Sequence, residues 1–230
     1  MWLAGVDGCR GGWIVVLVKS PGEVRHRLCR TFQDVLDLKD PRPDVFAIDI
    51  PIGLLETPCR GGRVCDQEAR RVLGAPRASS VFTPPLRCFL DARCFSEVRG
   101  MTIQAFGILK KIAEVDRLMT PELQKRVYEA HPELAFRLLA GRSMQFKKSR
   151  SSGRDERIRA LAQMGTTFNG LGERWVDRRM TFSGKDLAAD DLLDAYALTW
   201  TAFRIATGEA RRLPSDPPRD RKGLRMEVWY

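Results

Sequence analysis

The sequence predicts one α/β domain: a mixed sheet of five or six strands, the first three antiparallel, flanked by helices and carrying an Arg-, Pro- and Cys-rich insertion. Three observations predict it. Two apolar runs, the second rich in β-branched residues, lie on either side of a glycine turn within the first 19 residues, and a third alternating run follows. An amphipathic stretch then leads into a short, nearly all-apolar run, the pattern of a helix feeding a central buried strand. Finally, 230 residues with no internal repeat fit one medium domain, residues 1–230, with its insertion at about 51–100.

Trp2 to Asp7 reads as the first strand, Gly8, Gly11 and Gly12 as the turn, and Trp13 to Lys19 as the second strand. Pro21-Gly22 turns the chain into a half-exposed third strand, Val24 to Arg30. Thr31 is placed to cap a helix running to Lys39, which Pro41 and Pro43 end. Val45 to Ile50 is the buried strand. The insertion holds one helical stretch, Val64 to Leu73. Beyond it the pattern gives a helix over about 101–118, a strand near Arg126 to Ala130 and a helix after Pro132. A basic loop over 141–153, a helix over about 154–164 and a long helix from about Leu187 to Thr207 follow, with Gly208 as its stop. Arg225 to Trp229 closes the chain as a candidate strand.

Apolar residues at 43% and charged residues at 30% describe a globular chain able to bury its own core. The longest apolar run, Trp13 to Val18, is far too short to span a membrane. Asp7 and Arg10 interrupt any signal-peptide pattern, which predicts a cytoplasmic protein with reduced thiols. The spacings Cys59/Cys65 and Cys88/Cys94 do not match zinc-ligand patterns. The formal charge of +10 is uneven: residues 60–99, 142–159 and 204–225 carry the whole basic excess, and the remainder is slightly acidic. A phosphate-rich partner explains that asymmetry; so does an arginine-heavy composition, with 30 Arg against nine Lys.

Acids occur where apolar residues are expected. Asp7 ends the first strand and Asp49 ends the buried one, positions costly for a carboxylate unless it is paired or bound to a cation, although a turn or cap role competes. In the last helix Asp191 and Asp194 stand three residues apart and project from one face. Asp190 and Asp191 complement the helix dipole; Asp194 lies too deep for that reading alone. Two strand-end carboxylates and a helical pair supply the oxygen ligands that Mg²⁺ or Mn²⁺ requires, and phosphodiester hydrolysis uses such ions.

The order of elements and these acids resemble the ribonuclease H-like fold, in particular its Holliday-junction-resolvase branch. That branch carries Asp on the first strand, an acid at the end of the fourth, and an Asp-x-x-Asp pair on the last helix. Asp7, Asp49, Asp191 and Asp194 fall on those places, with Asp49 where the branch commonly has Glu. Nearly the whole chain resembles the family of predicted ribonuclease H-fold nucleases called domain of unknown function 429. The matching stretches are Gly5 to Trp13, Ile48 to Leu54, Arg63 to Asp66 with Ala69-Arg70, Ser79 to Phe82, Glu129 to Glu133 and Asp190 to Ala195. The resemblance implies a metal-dependent nuclease holding Mg²⁺ or Mn²⁺ on the four aspartates, with Glu129 as a further candidate ligand. Junction-resolving relatives suggest a homodimer.

Arg10, Arg63, Arg70, Arg77, Ser79, Ser80, Lys147 and Lys148 are the candidate substrate contacts, since Arg grips phosphate bidentately and a Ser-Ser turn offers donors. An ion-pair network with Asp66, Glu68 and Asp91 is the competing explanation for the arginines of the insertion. His131 is a candidate for proton transfer, although Pro132 and Glu133 beside it also make a good helix start. The expected partner is DNA or RNA, with no membrane. Two other readings stay open: a phosphotransferase or hydrolase of a small phosphorylated substrate, whose Gly-x-Asp-Gly turn would cradle phosphate, and a non-catalytic nucleic-acid-binding module.

Overall fold

A computed structural model describes residues 1–19, 22–164 and 185–230. Strands β1 (Trp2–Cys9), β2 (Gly12–Lys19) and β3 (Glu23–Cys29) form an antiparallel meander; the predicted turn at Pro21 lies outside the described residues. Gly12 sits at φ 128°, and a Cβ there would lie 2.1 Å from the Cys29 carbonyl oxygen, so the β1–β2 turn requires glycine. Helix α1 (Phe32–Leu36) is capped by Thr31, whose hydroxyl accepts from the Asp34 N–H while the Asp34 carboxylate accepts from the Thr31 N–H. It ends three residues before the predicted Lys39.

Strand β4 (Val45–Ile48) pairs parallel with β1, and β5 (Val127–Glu129) pairs parallel with β4, giving a five-stranded sheet in the order β3-β2-β1-β4-β5. The insertion contributes α2 (Val64–Leu73) and short 3-10 turns at Ala78–Ser80, Arg87–Phe89 and Phe95–Glu97. The helix expected over 101–118 is two helices, α3 (Ile103–Gly107) and α4 (Leu109–Leu118), broken at Ile108 after the poor helix former Gly107. Helices α5 (Pro132–Ala140) and α6 (Ser151–Leu161) precede the long α7 (Ala189–Thr207), whose last turn is closed by left-handed Gly208. A ribbon of β6 (Arg212–Leu213) and β7 (Val228–Trp229) reaches the sheet edge through a bridge between Trp229 and Ala130. None of the described helices is long and apolar enough to cross a membrane.

Alternation along the strands builds a core on each face. Ala4, Val6, Trp13, Val15, Phe46 and Ile48 pack with α1 and α4. Ile14, Val16 and Val18 face α7 through Leu192, Leu193 and Tyr196, and Leu3 and Ala47 meet Leu198 and Ala202. Gly5 makes this second layer unusually close. A Cβ at Gly5 would fall 2.0 Å from the Ala195 carbonyl oxygen and 2.4 Å from the Thr199 nitrogen, both backbone atoms of α7. The first strand and the last long helix therefore touch backbone to backbone beside Asp7.

Candidate active site

The site is assembled by three elements with no sequence proximity. Asp7 lies near the carboxyl end of β1 on the α7 face, the same face as Leu3 and Gly5. Asp49 follows the last residue of β4, and its N–H donates to the Val6 carbonyl at 3.1 Å, which seats it beside Asp7. Asp194 lies in the second turn of α7, one residue before the carbonyl that Gly5 admits. Crevices beyond the carboxyl ends of parallel strands are where open α/β sheets place ligands.

The electrostatics record this convergence. Burial holds the Asp7 carboxyl well above the usual carboxylate range, and Asp49, Asp194 and Asp191 push it the same way against the pull of Lys148. Asp49 is raised by burial, partly offset by His131 and Lys148. Asp194, 4% exposed, is pushed up to about 6 by burial and by Asp49 and Glu133, although Lys148 pulls it down. Asp191 also titrates high because of burial, while its carboxylate caps α7 by accepting the Ala188 N–H at 3.0 Å. The cation ion-paired with this cluster among the described residues is Lys148. Its Nζ lies 2.8 Å from Asp194 Oδ2 and 3.5 Å from Asp190 Oδ2, and Asp194 above all raises its pKa.

The other expected contacts divide. Arg10, exposed at the β1–β2 turn, acts on Asp191 through its charge. Ser79 and Ser80 line a cavity of about 330 Å³ together with Asp49, His131, Lys148 and Asp194. Lys147 is exposed in the loop before α6 and does not line that cavity.

The arginines of the insertion are tied into the fold instead. Arg63, 2% exposed, spends its guanidinium on Asp66, Glu129 and the carbonyls of Ile52 and Gly53. It presents no donor to a substrate. Arg70 donates to the carbonyls of Val81 and Gly61 and to the Thr83 hydroxyl, and Arg77 to the Met144 carbonyl at 2.6 Å. An insertion poor in regular structure leaves carbonyls needing donors, and arginine supplies them.

Glu129 departs from the expected ligand set for a reason of strand parity. It pairs in register with Ile48, which faces α4, so its carboxylate lies on the α4 side of the sheet. There its carboxylate accepts from Arg63 at 2.5 and 2.8 Å and from the Ile52 N–H at 2.6 Å, and burial raises its pKa to about 7.

His131 caps α5: Nδ1 accepts the Glu133 N–H at 3.2 Å, and Nε2 faces the Ser80 carbonyl at 3.3 Å. Two further residues, neither among the expected site residues, reach the acids or the cavity. Lys111 on α4 donates to the Gly12 carbonyl, stands 4.6 Å over the Trp13 ring, and exerts its charge on Asp7 and Asp191. Glu133, 7% exposed, pairs one oxygen with fully buried Arg157 and leaves Oε2 without a partner among the described residues. It also lines the cavity. Buried Arg157 demands a buried acid, and only the fold shows that Arg157 is buried.

The donors are hard carboxylate oxygens on rigid strand and helix positions, which suits a hard divalent cation. Among the described residues, however, no group of three or more His, Cys, Asp or Glu side chains is arranged to hold a metal ion. Fold and site together define an α/β protein with an acidic crevice at the carboxyl edge of a mixed sheet. Residues 5–219 match the family described as "Protein of unknown function (DUF429)", and the chain belongs to it. No curated protein and no solved structure matches the chain.

Proposed function

We propose that the chain is a Mg²⁺- or Mn²⁺-dependent phosphodiesterase with a ribonuclease H-like fold, acting on nucleic acid. One observation carries the reading: Asp7, Asp49 and Asp194, brought from β1, the end of β4 and α7, converge where burial raises all three pKa values and the charge of Asp49 pushes Asp7 and Asp194 further up. The strand order β3-β2-β1-β4-β5, antiparallel for the first three strands and parallel thereafter, supports the fold assignment. Like charges clustered in a crevice are relieved by a cation.

Asp7, Asp49 and Asp194 would hold the ion, with Asp191 at the rim. When bound, it supplies a lowered water pKa and charge neutralisation at a phosphoryl oxygen. Without it, Lys148 balances Asp194. Arg10 and Lys147, exposed at the crevice mouth and in the nearby loop, are left to meet the phosphate backbone, whose binding weakens with salt.

The test is cleavage and binding of branched, duplex and single-stranded DNA and RNA with Mg²⁺ or Mn²⁺. Asp7→Asn should lower cleavage by roughly a thousandfold or more, as loss of a metal ligand does, while binding holds or tightens. Cleavage by Asp7→Asn equal to that of the parent rejects the assignment.

A further inference from the structure

The 330 Å³ cavity opens directly from the carboxylates, since Asp49, Asp194 and Lys148 form part of its wall. Beyond them its lining changes character. Phe82, Ala105 and Ile108 give apolar surface, while Ser79, Ser80 and Gln104 bring polar groups to the same space. Neither the Ser79 hydroxyl nor the Gln104 amide is hydrogen-bonded to another described residue, and Ser80 Oγ donates to the Arg77 carbonyl while keeping its lone pairs. The volume lies near the lower end of the range for small-molecule sites. Apolar walls with polar groups around them suit a flat heteroaromatic ring carrying donors and acceptors on its edge.

We infer that this cavity receives a single nucleoside, base inward, attached to the phosphate that meets the carboxylates. The ligand is an unpaired nucleotide, either free or within a single-stranded segment. A base paired and stacked in a duplex cannot enter without being unstacked first. The phosphate's position rests on the phosphodiesterase reading; the base's position rests on the cavity alone.

Binding calorimetry in Mg²⁺ separates the two. The probes are the nucleoside 5′-monophosphates, ribose 5-phosphate, inorganic phosphate, and a short oligonucleotide as single strand and as duplex. A seated base should make at least one monophosphate bind roughly tenfold tighter than ribose 5-phosphate, in line with the value of a base stacked on an aromatic ring. Ser79→Trp and Gln104→Trp, exposed positions on two different walls, should each cost about tenfold or more in that affinity while melting temperature holds.

Preference for the single strand over the monophosphate identifies a strand as the source of the nucleotide; equal affinity identifies the free nucleotide. Monophosphates binding no tighter than ribose 5-phosphate, or binding undisturbed in both folded Trp variants, overturns the inference. Nucleotide binding that both variants abolish, with no cleavage of any substrate, supports the pocket and rejects the phosphodiesterase. Duplex cleavage unaffected by either variant, with no nucleotide binding, does the reverse.

Discussion

Arg63 and Lys148 each sit among acids at the carboxyl edge of the sheet, and the two groups are built on opposite plans. Around Arg63 two carboxylates, Asp66 and Glu129, share one guanidinium whose N–H groups all find acceptors, beside a space of only about 20 Å³. Around Lys148 the carboxylates of Asp7, Asp49, Asp190, Asp191 and Asp194 outnumber one half-exposed ammonium, and two of them, Asp49 and Asp194, border 330 Å³. The first group is closed, with each carboxylate paired to the guanidinium and its hydrogen bonding satisfied inside the protein. The second is left in electrostatic debt with room beside it. Buried acids alone do not mark a functional site; an unmatched charge balance next to open space does.

The largest effect that tests this contrast comes from Arg63. Arg63→Met strands two buried carboxylates and should destabilise the fold by about 3–5 kcal/mol in denaturant unfolding. Asp7→Asn removes one of several repelling charges and should leave stability equal or higher. If both variants lose similar stability, the contrast between the two groups fails.

Gly5→Ala comes next. The new methyl meets two α7 backbone atoms, so the helix must shift, at a cost of roughly 1–3 kcal/mol. Asp194 moves with it, and metal affinity should fall together with melting temperature.

A third effect is a pH dependence whose sign follows from the raised acids. Asp194 titrates near 3.8 when unfolded and near 6 when folded, so the native state binds the extra proton in between. Its contribution to stability is greatest below the unfolded value and falls, by about 3 kcal/mol, as pH rises through about 6. Asp7 and Asp49 act in the same direction. Glu129 does so too, up to about 7, but only the crevice acids should regain stability when Mg²⁺ is added above that pH. Thermal melts across pH with and without Mg²⁺ check this; a melting temperature that Mg²⁺ leaves unchanged contradicts it.

The smallest effect is at Lys148. Lys148→Gln removes a competing cation from Asp194 and should tighten Mn²⁺ binding roughly fivefold by calorimetry, the worth of a partly exposed ion pair. Unchanged affinity would show that the ammonium and the ion do not compete.

The sheet was legible because strand alternation and the Thr31 cap are local signals, and α2 was legible to the residue. Asp7 and Asp49 stood out because acids in apolar strands are anomalous wherever the chain folds. The side to which Glu129 points was hidden, because it depends on a register with Ile48 that only the assembled sheet defines. The insertion was ambiguous for a related reason. An arginine that binds phosphate and one that satisfies stray carbonyls are the same letter, and Arg63, Arg70 and Arg77 differ only in what the fold brings to them. Glu133 was read as a helix-start residue, which it is; its second role depends on Arg157, which is 24 residues away.

The backbone contact at Gly5 also sets when the crevice can exist. A ribosome releases Asp7 and Asp49 first, along with the strands that carry them, but the helix that covers Gly5 and brings Asp194 emerges only after the whole sheet, the insertion and α6. Until then the growing chain exposes a glycine-floored groove and two of the three buried acids. A truncated product that stops after residue 129 but before residue 189 therefore has all five strands of the sheet and none of the third acid, and is born without a complete site.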